Sequence, residues 1–247
     1  MRTLAIGDIH GCLTALDRLL AEVDLQPDDV LVTLGDYVDR GPASKGVIDR
    51  LLDLSQRCQL LPLRGNHEVM MIRAHRAWQE AERWRTDPTL LVNPAYRPRR
   101  DTTGEEREWL ACGGREAVAS YGKSLADVPA AHWEFIEETC QDWFETDTHI
   151  FVHANVYPDC PLAEQPSFML HWEKMYQPVR HCSGKTVVCG HTPQRSGRPR
   201  RWPTTIVLDT WVYGDGWLSC LDATTGRLWQ ANQRGEYRGG FLDAAEE

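Results

Sequence analysis

The sequence predicts an α/β fold, and three observations predict it. Short apolar runs recur along the chain; each ends in glycine or a polar residue and hands over to Asp, Asn or His; helical spacing follows the first two. Runs of four or five apolar residues bounded in this way have the length of buried strands rather than helices.

Taken in order, Thr3-Leu4-Ala5-Ile6 leads into GDIHG at 7–11, Val30 to Leu34 into GDYVDRG at 35–41, and Leu60 to Leu63 into RGNHE at 64–68. Ile150-Phe151-Val152 leads into His153, Thr186 to Cys189 passes through Gly190 into His191, and Thr205 to Leu208 ends at Asp209. Leu13, Leu16, Leu20 and Val23 are spaced as one helix face, and Val47, Ile48, Leu51, Leu52 and Leu54 as another. A further helix is expected over 67–85, followed by a Pro, Thr and Arg-rich stretch from Thr86 to Arg107. Residues 73–107 carry eight Arg against six acidic residues and are read as a cap over the site. The loop from Gln194 to Trp202 collects four more arginines, strands resume to about Gln230, and the tail from Ala231 is read as frayed.

The 247 residues, 42% hydrophobic, suit a single domain over 1–247 with a sizeable core. A net charge of −9 argues against a nucleic-acid binder, which carries a basic footprint. Eight scattered cysteines without a CxxC pair read as free thiols in a reducing cytoplasm. Met1-Arg2-Thr3 runs directly into the first strand, leaving no room for a signal peptide, and no apolar stretch reaches the ~20 residues of a membrane span. A cytoplasmic protein with no membrane partner is therefore expected.

The strand ends carry the chemistry. In open α/β sheets ligands bind beyond the carboxyl ends of the strands, where scattered side chains converge. Asp8 and His10 can reach one metal, Asp36 can bridge, and Asn66, His153 and His191 complete a second, a mixed N/O set that suits Mn, Fe or Zn better than Ca. Such a pair of cations activates a bridging hydroxide for in-line attack on phosphorus. His67, beside the Asn ligand, is the candidate general acid; Asp39 orients it, and Arg40 offers a planar fork to phosphoryl oxygens. Glu68 is assigned to the first turn of a helix, and Asp209 to a supporting or turn-capping role.

These motifs, with FVHA at 151–154 and GHTP at 190–193, occur in the order that resembles the phosphoprotein phosphatase family of calcineurin-like metallophosphoesterases, in particular the bacterial and lambda-phage type. The resemblance covers roughly residues 3–215 and implies a sandwich of two mixed β-sheets flanked by helices. It implies metal ligands Asp8, His10, Asp36, Asn66, His153 and His191, an acid pair of His67 and Asp39, and phosphate binding by Arg40 and Asn66. Two divalent transition-metal ions are implied, Mn(II) first, with Fe, Zn or Ni as alternatives.

One departure stands out. Relatives place a second phosphate-binding Arg two residues after a Trp; here Lys174 stands two residues after Trp172, so Lys174, or else Arg180 or a rim Arg, is expected in that role. The expected activity is phosphomonoester hydrolysis on phosphoserine and phosphothreonine in proteins, with phosphotyrosine and small phosphoesters as further substrates. The competing reading is a dinucleoside-polyphosphate (diadenosine tetraphosphate-type) or polyphosphate hydrolase; relatives of the dinucleoside type tend to carry Asp at the position of Glu68. A silent phosphate-binding scaffold would have lost at least one of these residues, and none is lost.

Overall fold

A computed structural model describes residues 1–86 and 104–242. It contains two mixed sheets. In the first the strand order is β11-β10-β9-β1-β2-β3, with β1 Thr3–Ile6, β2 Val30–Thr33, β3 Gln59–Pro62, β9 Leu218–Asp222, β10 Arg227–Ala231 and β11 Tyr237–Phe241. The second runs β4-β5-β6-β8-β7, with β4 Trp143–Glu145, β5 His149–Val152, β6 Thr186–Cys189, β7 Arg200–Trp202 and β8 Thr205–Val207.

Each sheet holds a parallel triplet, β1-β2-β3 in one and β5-β6-β8 in the other. Because side chains alternate across a strand, neighbouring residues enter different layers. Ala5, Val32, Leu34, Phe151, Val188, Ile206 and Leu208 pack between the sheets. Leu4, Ile6 and Leu31 instead face helices α1, Leu13–Val23, and α2, Ser44–Leu54, while Ile150, Val152, Val187 and Val207 form a third cluster on the outer face of the second sheet. Both triplets are thereby buried on two faces, as continuous apolar runs require.

The predicted elements are found within one or two residues, and α3 spans Asn66–Thr86. Two expectations need correction. The tail does not fray at Ala231: β11 pairs with β10 from Arg227↔Phe241 to Ala231↔Tyr237. The Arg-rich loop is not loop throughout, because Arg200–Trp202 forms β7 against β8. Neither strand holds a β-branched residue, and arginine in β7 and glycine in β11 disfavour a strand locally, so pairing with a neighbour, not local propensity, makes the strand. The expected cap over 73–107 lies in part outside the described residues. Its described flanks are helices: α3 continues to Thr86, and α4, Gly104–Trp109, packs along it. The turn then widens over Leu110–Gly114 before α5, Arg115–Tyr121.

All eight cysteines are free thiols. Among the described residues no helix is long and apolar enough to cross a membrane.

Candidate metal centre

The carboxyl ends of the two parallel triplets lie together at one edge of the sandwich, and the loops leaving β1, β2, β3, β5, β6 and β8 deliver Asp8, Asp36, Asn66, His153, His191 and Asp209 to a common floor. Close approach is bought with glycine: a Cβ on Gly190 would collide with Asp8 Oδ1, and one on Gly65 with Asp36 Oδ1. The backbone is strained at the same place. Five of the seven non-glycine residues with left-handed φ among those described are His10, Asp36, Asp39, Arg40 and His191, a conformation that such side chains seldom adopt.

Two groups of side chains share Asp36. His10, Asp36 and His67 offer ligand atoms all within 4.8 Å of one another, and so do Asp36, His153 and His191. In the second group Asn66 Oδ1 lies 3.0 Å from His153 Nε2 and 2.9 Å from His191 Nδ1, and the two imidazole nitrogens are 3.2 Å apart.

Hydrogen bonds fix the ring tautomers. His10 Nδ1–H donates to Val38 O at 3.0 Å, His153 Nδ1–H to Leu34 O at 2.8 Å, and His191 Nε2–H to Trp172 O at 2.9 Å. Each ring therefore turns an unprotonated nitrogen inward, which is how metal-binding imidazoles are held. Burial pushes all three below the ordinary histidine range, His153 to about 3. Neutral lone pairs from three rings, an amide oxygen and a carboxylate, brought within 3–4 Å, repel one another unless a cation lies among them. The donor set thus fits divalent transition metals.

The carboxylates agree. Burial raises Asp8 well above the usual range, reinforced by Asp209 and Asp36. Burial likewise pushes Asp209 to about 7; its Oδ1 takes the Trp211 N–H at 3.0 Å, while its buried Oδ2 meets no donor. Burial would raise Asp36 too, but the surrounding imidazoles of His153, His67 and His10 hold it low and ionised. The turn-capping role expected of Asp209 is present, and a further carboxylate beside Asp8 comes with it.

His67 behaves differently from the other three rings. Its burial is outweighed by Asp36 and by the 2.6 Å contact between its Nδ1 and Asp39 Oδ2, which together raise it. Burial also raises Asp39. We place the shared proton on His67, because the Trp109 indole N–H donates to both Asp39 oxygens at 3.0 and 2.9 Å and favours the carboxylate. His67 Nε2 then points at Asp36 Oδ2, 3.9 Å away.

Arg40 stands at the mouth, with Nη1 2.8 Å from His10 Nε2 and its guanidinium 4.4 Å above the Tyr213 ring. Lys174 is exposed beside a cleft of about 690 Å³ lined in part by Tyr157, Phe168 and Tyr176, and its charge reaches His191. Arg180 is not brought to the centre; its guanidinium lies against the turn at Gly184.

Three contributors escaped the sequence reading. Glu68 does stand in the first turn of α3, but it is fully buried and accepts the backbone N–H groups of Gly65, Asp36, Tyr37 and Val38 at 2.9, 2.8, 2.8 and 3.3 Å. It ties the β2 loop to the β3 loop. Tyr213 packs edge-on against His10 at 4.9 Å. Trp109 holds Asp39; the glycine pair at 113–114 that follows it is the one sequence signal that marked this segment.

A two-sheet sandwich whose strand ends gather a buried His, Asp and Asn cluster defines a metal-dependent phosphoesterase. The chain belongs to the calcineurin-like phosphoesterase family, matched over residues 1–195. It is 41% identical over 197 residues to serine/threonine-protein phosphatase 1 of Salmonella typhimurium, covering 77% of this chain and 78% of that protein, which supports the phosphoprotein phosphatase branch. It is also 27% identical over 248 residues to a symmetrical bis(5'-nucleosyl)-tetraphosphatase of Janthinobacterium sp. (strain Marseille), covering 96% of this chain and 70% of that protein. Among solved structures, one described as a putative diadenosine tetraphosphatase superposes with a TM-score of 0.62 at 19% identity, over 97% of this chain and 94% of that one. That likeness concerns the fold.

Proposed function

We propose that this chain is a phosphomonoesterase that releases phosphate from phosphoserine and phosphothreonine in proteins, and from phosphotyrosine and small phosphoesters. The observation that carries the reading is the buried His67–Asp39 pair. An imidazole raised by Asp36 and clamped at 2.6 Å serves a leaving group that must take up a proton as it departs. A serine alkoxide needs that proton; a nucleotide leaving through a phosphate oxygen needs it far less.

Asp8, His10 and Asp36 would hold one divalent cation, and Asp36, Asn66, His153 and His191 the other, with Mn(II) preferred and Fe, Zn or Ni able to substitute. When bound, such ions supply positive charge to the phosphoryl oxygens and an activated water as nucleophile. The rest is done by the chain's own residues. Arg40 and Asn66 hold phosphoryl oxygens, with Lys174 at the rim; Asp39 keeps the imidazole turned and protonated; His67 Nε2–H passes its proton to the departing oxygen. Val38, Leu34 and Trp172 carbonyls fix the tautomer of the three ligand rings, and burial keeps those rings neutral. The enzyme would act as one catalytic domain in a reducing cytoplasm.

A second reading, dinucleoside-polyphosphate hydrolysis, is favoured by the alignment over 96% of the chain with the tetraphosphatase. Glu68 does not argue against it: its carboxylate braces loop amides, so its length answers to loop spacing rather than to substrate. The test is turnover of a phosphothreonine peptide against diadenosine tetraphosphate by metal-loaded protein. Faster hydrolysis of the peptide is expected; a large excess with the dinucleotide would replace the first reading by the second.

A further inference from the structure

Asp39 and Arg40 carry two different tasks on adjacent residues, and both sit in the left-handed region, at φ 72° and 66°. A loop in that conformation persists only if its surroundings over-determine it. The surroundings come from far along the chain, from the widened turn after α4. Trp109 is fully buried, and its indole N–H reaches both oxygens of Asp39, 70 residues away. Gly113 O accepts the Arg40 backbone N–H at 3.1 Å. The two glycines are required by this contact: Gly113 has φ 115°, and a Cβ there would come within 2.8 Å of Arg40 N and Cγ, while a Cβ on Gly114 would enter the Trp109 ring at 2.6 Å. Widened turns of this type recur at functional sites.

We infer that Trp109 and Gly113 form a clasp that positions Asp39 and Arg40 separately, the indole setting the proton-donating pair and the glycine carbonyl setting the phosphate grip. The clasp rests on the proposed roles of His67 and Arg40. The bland alternative is a buried indole satisfied by whichever acceptor lies nearest. The two differ in what the loss of the N–H does. Trp109 touches no reacting atom, so it is a positioning residue, and its removal should be felt only where Asp39 matters.

The test compares Trp109→Phe with the native holoenzyme on phenyl phosphate, whose leaving oxygen needs a proton, and on 2,4-dinitrophenyl phosphate, whose leaving oxygen does not. The expected result is a kcat about tenfold lower on phenyl phosphate and changed less than about twofold on the dinitrophenyl ester, with KM and metal content unchanged. In an Asp39→Asn background the Trp109 substitution should add nothing, since both act on one unit. Gly113→Ala should show the opposite split, a higher KM on both esters through Arg40. Equal losses on both esters, or additivity with Asp39→Asn, would overturn the clasp.

Should Trp109→Phe not fold, the native protein still decides. One of the ten Trp indole N–H signals should be strongly protected from exchange and should move in Asp39→Ala. If none does, the clasp is wrong. His67→Asn separates the two levels: native-like turnover of phenyl phosphate in that variant removes the acid mechanism and the clasp with it, whereas a slow His67→Asn beside a native-like Trp109→Phe removes the clasp alone.

Discussion

The floor of the centre and its rim are built by opposite means. On the floor the side chains are buried, with His191 half-buried, and most are held by a partner from a different loop: Glu68 by four amides, His153 by Leu34 O, Asp39 by His67 and Trp109. At the rim Lys174 is exposed, Arg40 is half-buried, and two guanidinium groups rest on aromatic faces, Arg40 on Tyr213 at 4.4 Å and Arg195 on Trp211 at 5.2 Å. Burial makes the floor electrostatically expensive and so permits few arrangements; exposure lets the rim vary. On the proposed function, the contrast assigns the reaction to the floor and the choice of substrate to the rim.

The largest effect should come from Asp36, the one residue common to both ligand groups. Asp36→Asn keeps the shape but removes the charge that faces His10 at 3.4 Å and His153 at 3.4 Å. Metal content measured by elemental analysis should fall well below that of the native protein. Turnover should drop on the order of a thousandfold, since cation charge is worth several kcal/mol at a phosphoryl transition state. Full metal content in this variant would mean that the two groups do not depend on a common carboxylate.

The floor was largely legible in the sequence and the rim was not, for a physical reason. Strand ends fix where a side chain must go, so GDIHG, GDYVDRG and RGNHE announce Asp8, His10, Asp36, Asn66 and His67 through spacing alone. His153 and His191 follow because their strands end in the same direction. What spacing does not reveal is support from afar. Glu68 acts through amides about 30 residues back, and Trp109 through a carboxylate 70 residues away, and neither has a local pattern that states its partner. Strands β7 and β11 were missed for a related reason, because each is made by pairing and not by its own composition.

A second prediction concerns the charge stored in the floor. Asp209 and Glu68 are both pushed up to about 7, burial being the main cause, from ordinary values of 3.8 and 4.5, and Asp8 is raised as well. A carboxyl raised on folding binds its proton more tightly in the native state than in the unfolded one. Its stabilising contribution is therefore complete below its unfolded pKa and is lost as pH rises through the folded value. In chelator-treated protein this loss falls between about pH 4 and pH 7, where the lowered imidazoles of His10, His153 and His191 gain stability as pH rises, so the carboxyl share should appear as the part of the Tm-against-pH slope that Asp209→Asn removes, several degrees. Saturation with Mn(II) should flatten that slope, because cations replace the protons. An Asp209→Asn profile parallel to the native one without metal would mean that the carboxyls are not in conflict.

The smallest effect should lie at Lys174, and it tests the rim half of the comparison. Its ammonium is exposed and touches no floor residue by a hydrogen bond, yet its charge is felt by His191 across the mouth. An exposed point charge attracts a phosphate without fixing its orientation, so it contributes to binding before the transition state as much as in it. Lys174→Ala should raise KM about three- to tenfold for a phosphopeptide and leave kcat nearly unchanged, the mark of uniform binding. The effect should shrink with added salt, as surface electrostatics do. Lys174→Arg should keep or tighten the grip, because a planar fork suits the phosphoryl oxygens better. Arg180→Ala, with its guanidinium turned to Gly184, should change neither constant. A loss of kcat in Lys174→Ala that matched the loss in kcat/KM would place this lysine in the reaction, and the division between a catalytic floor and a selective rim would then run through the cleft and not around it.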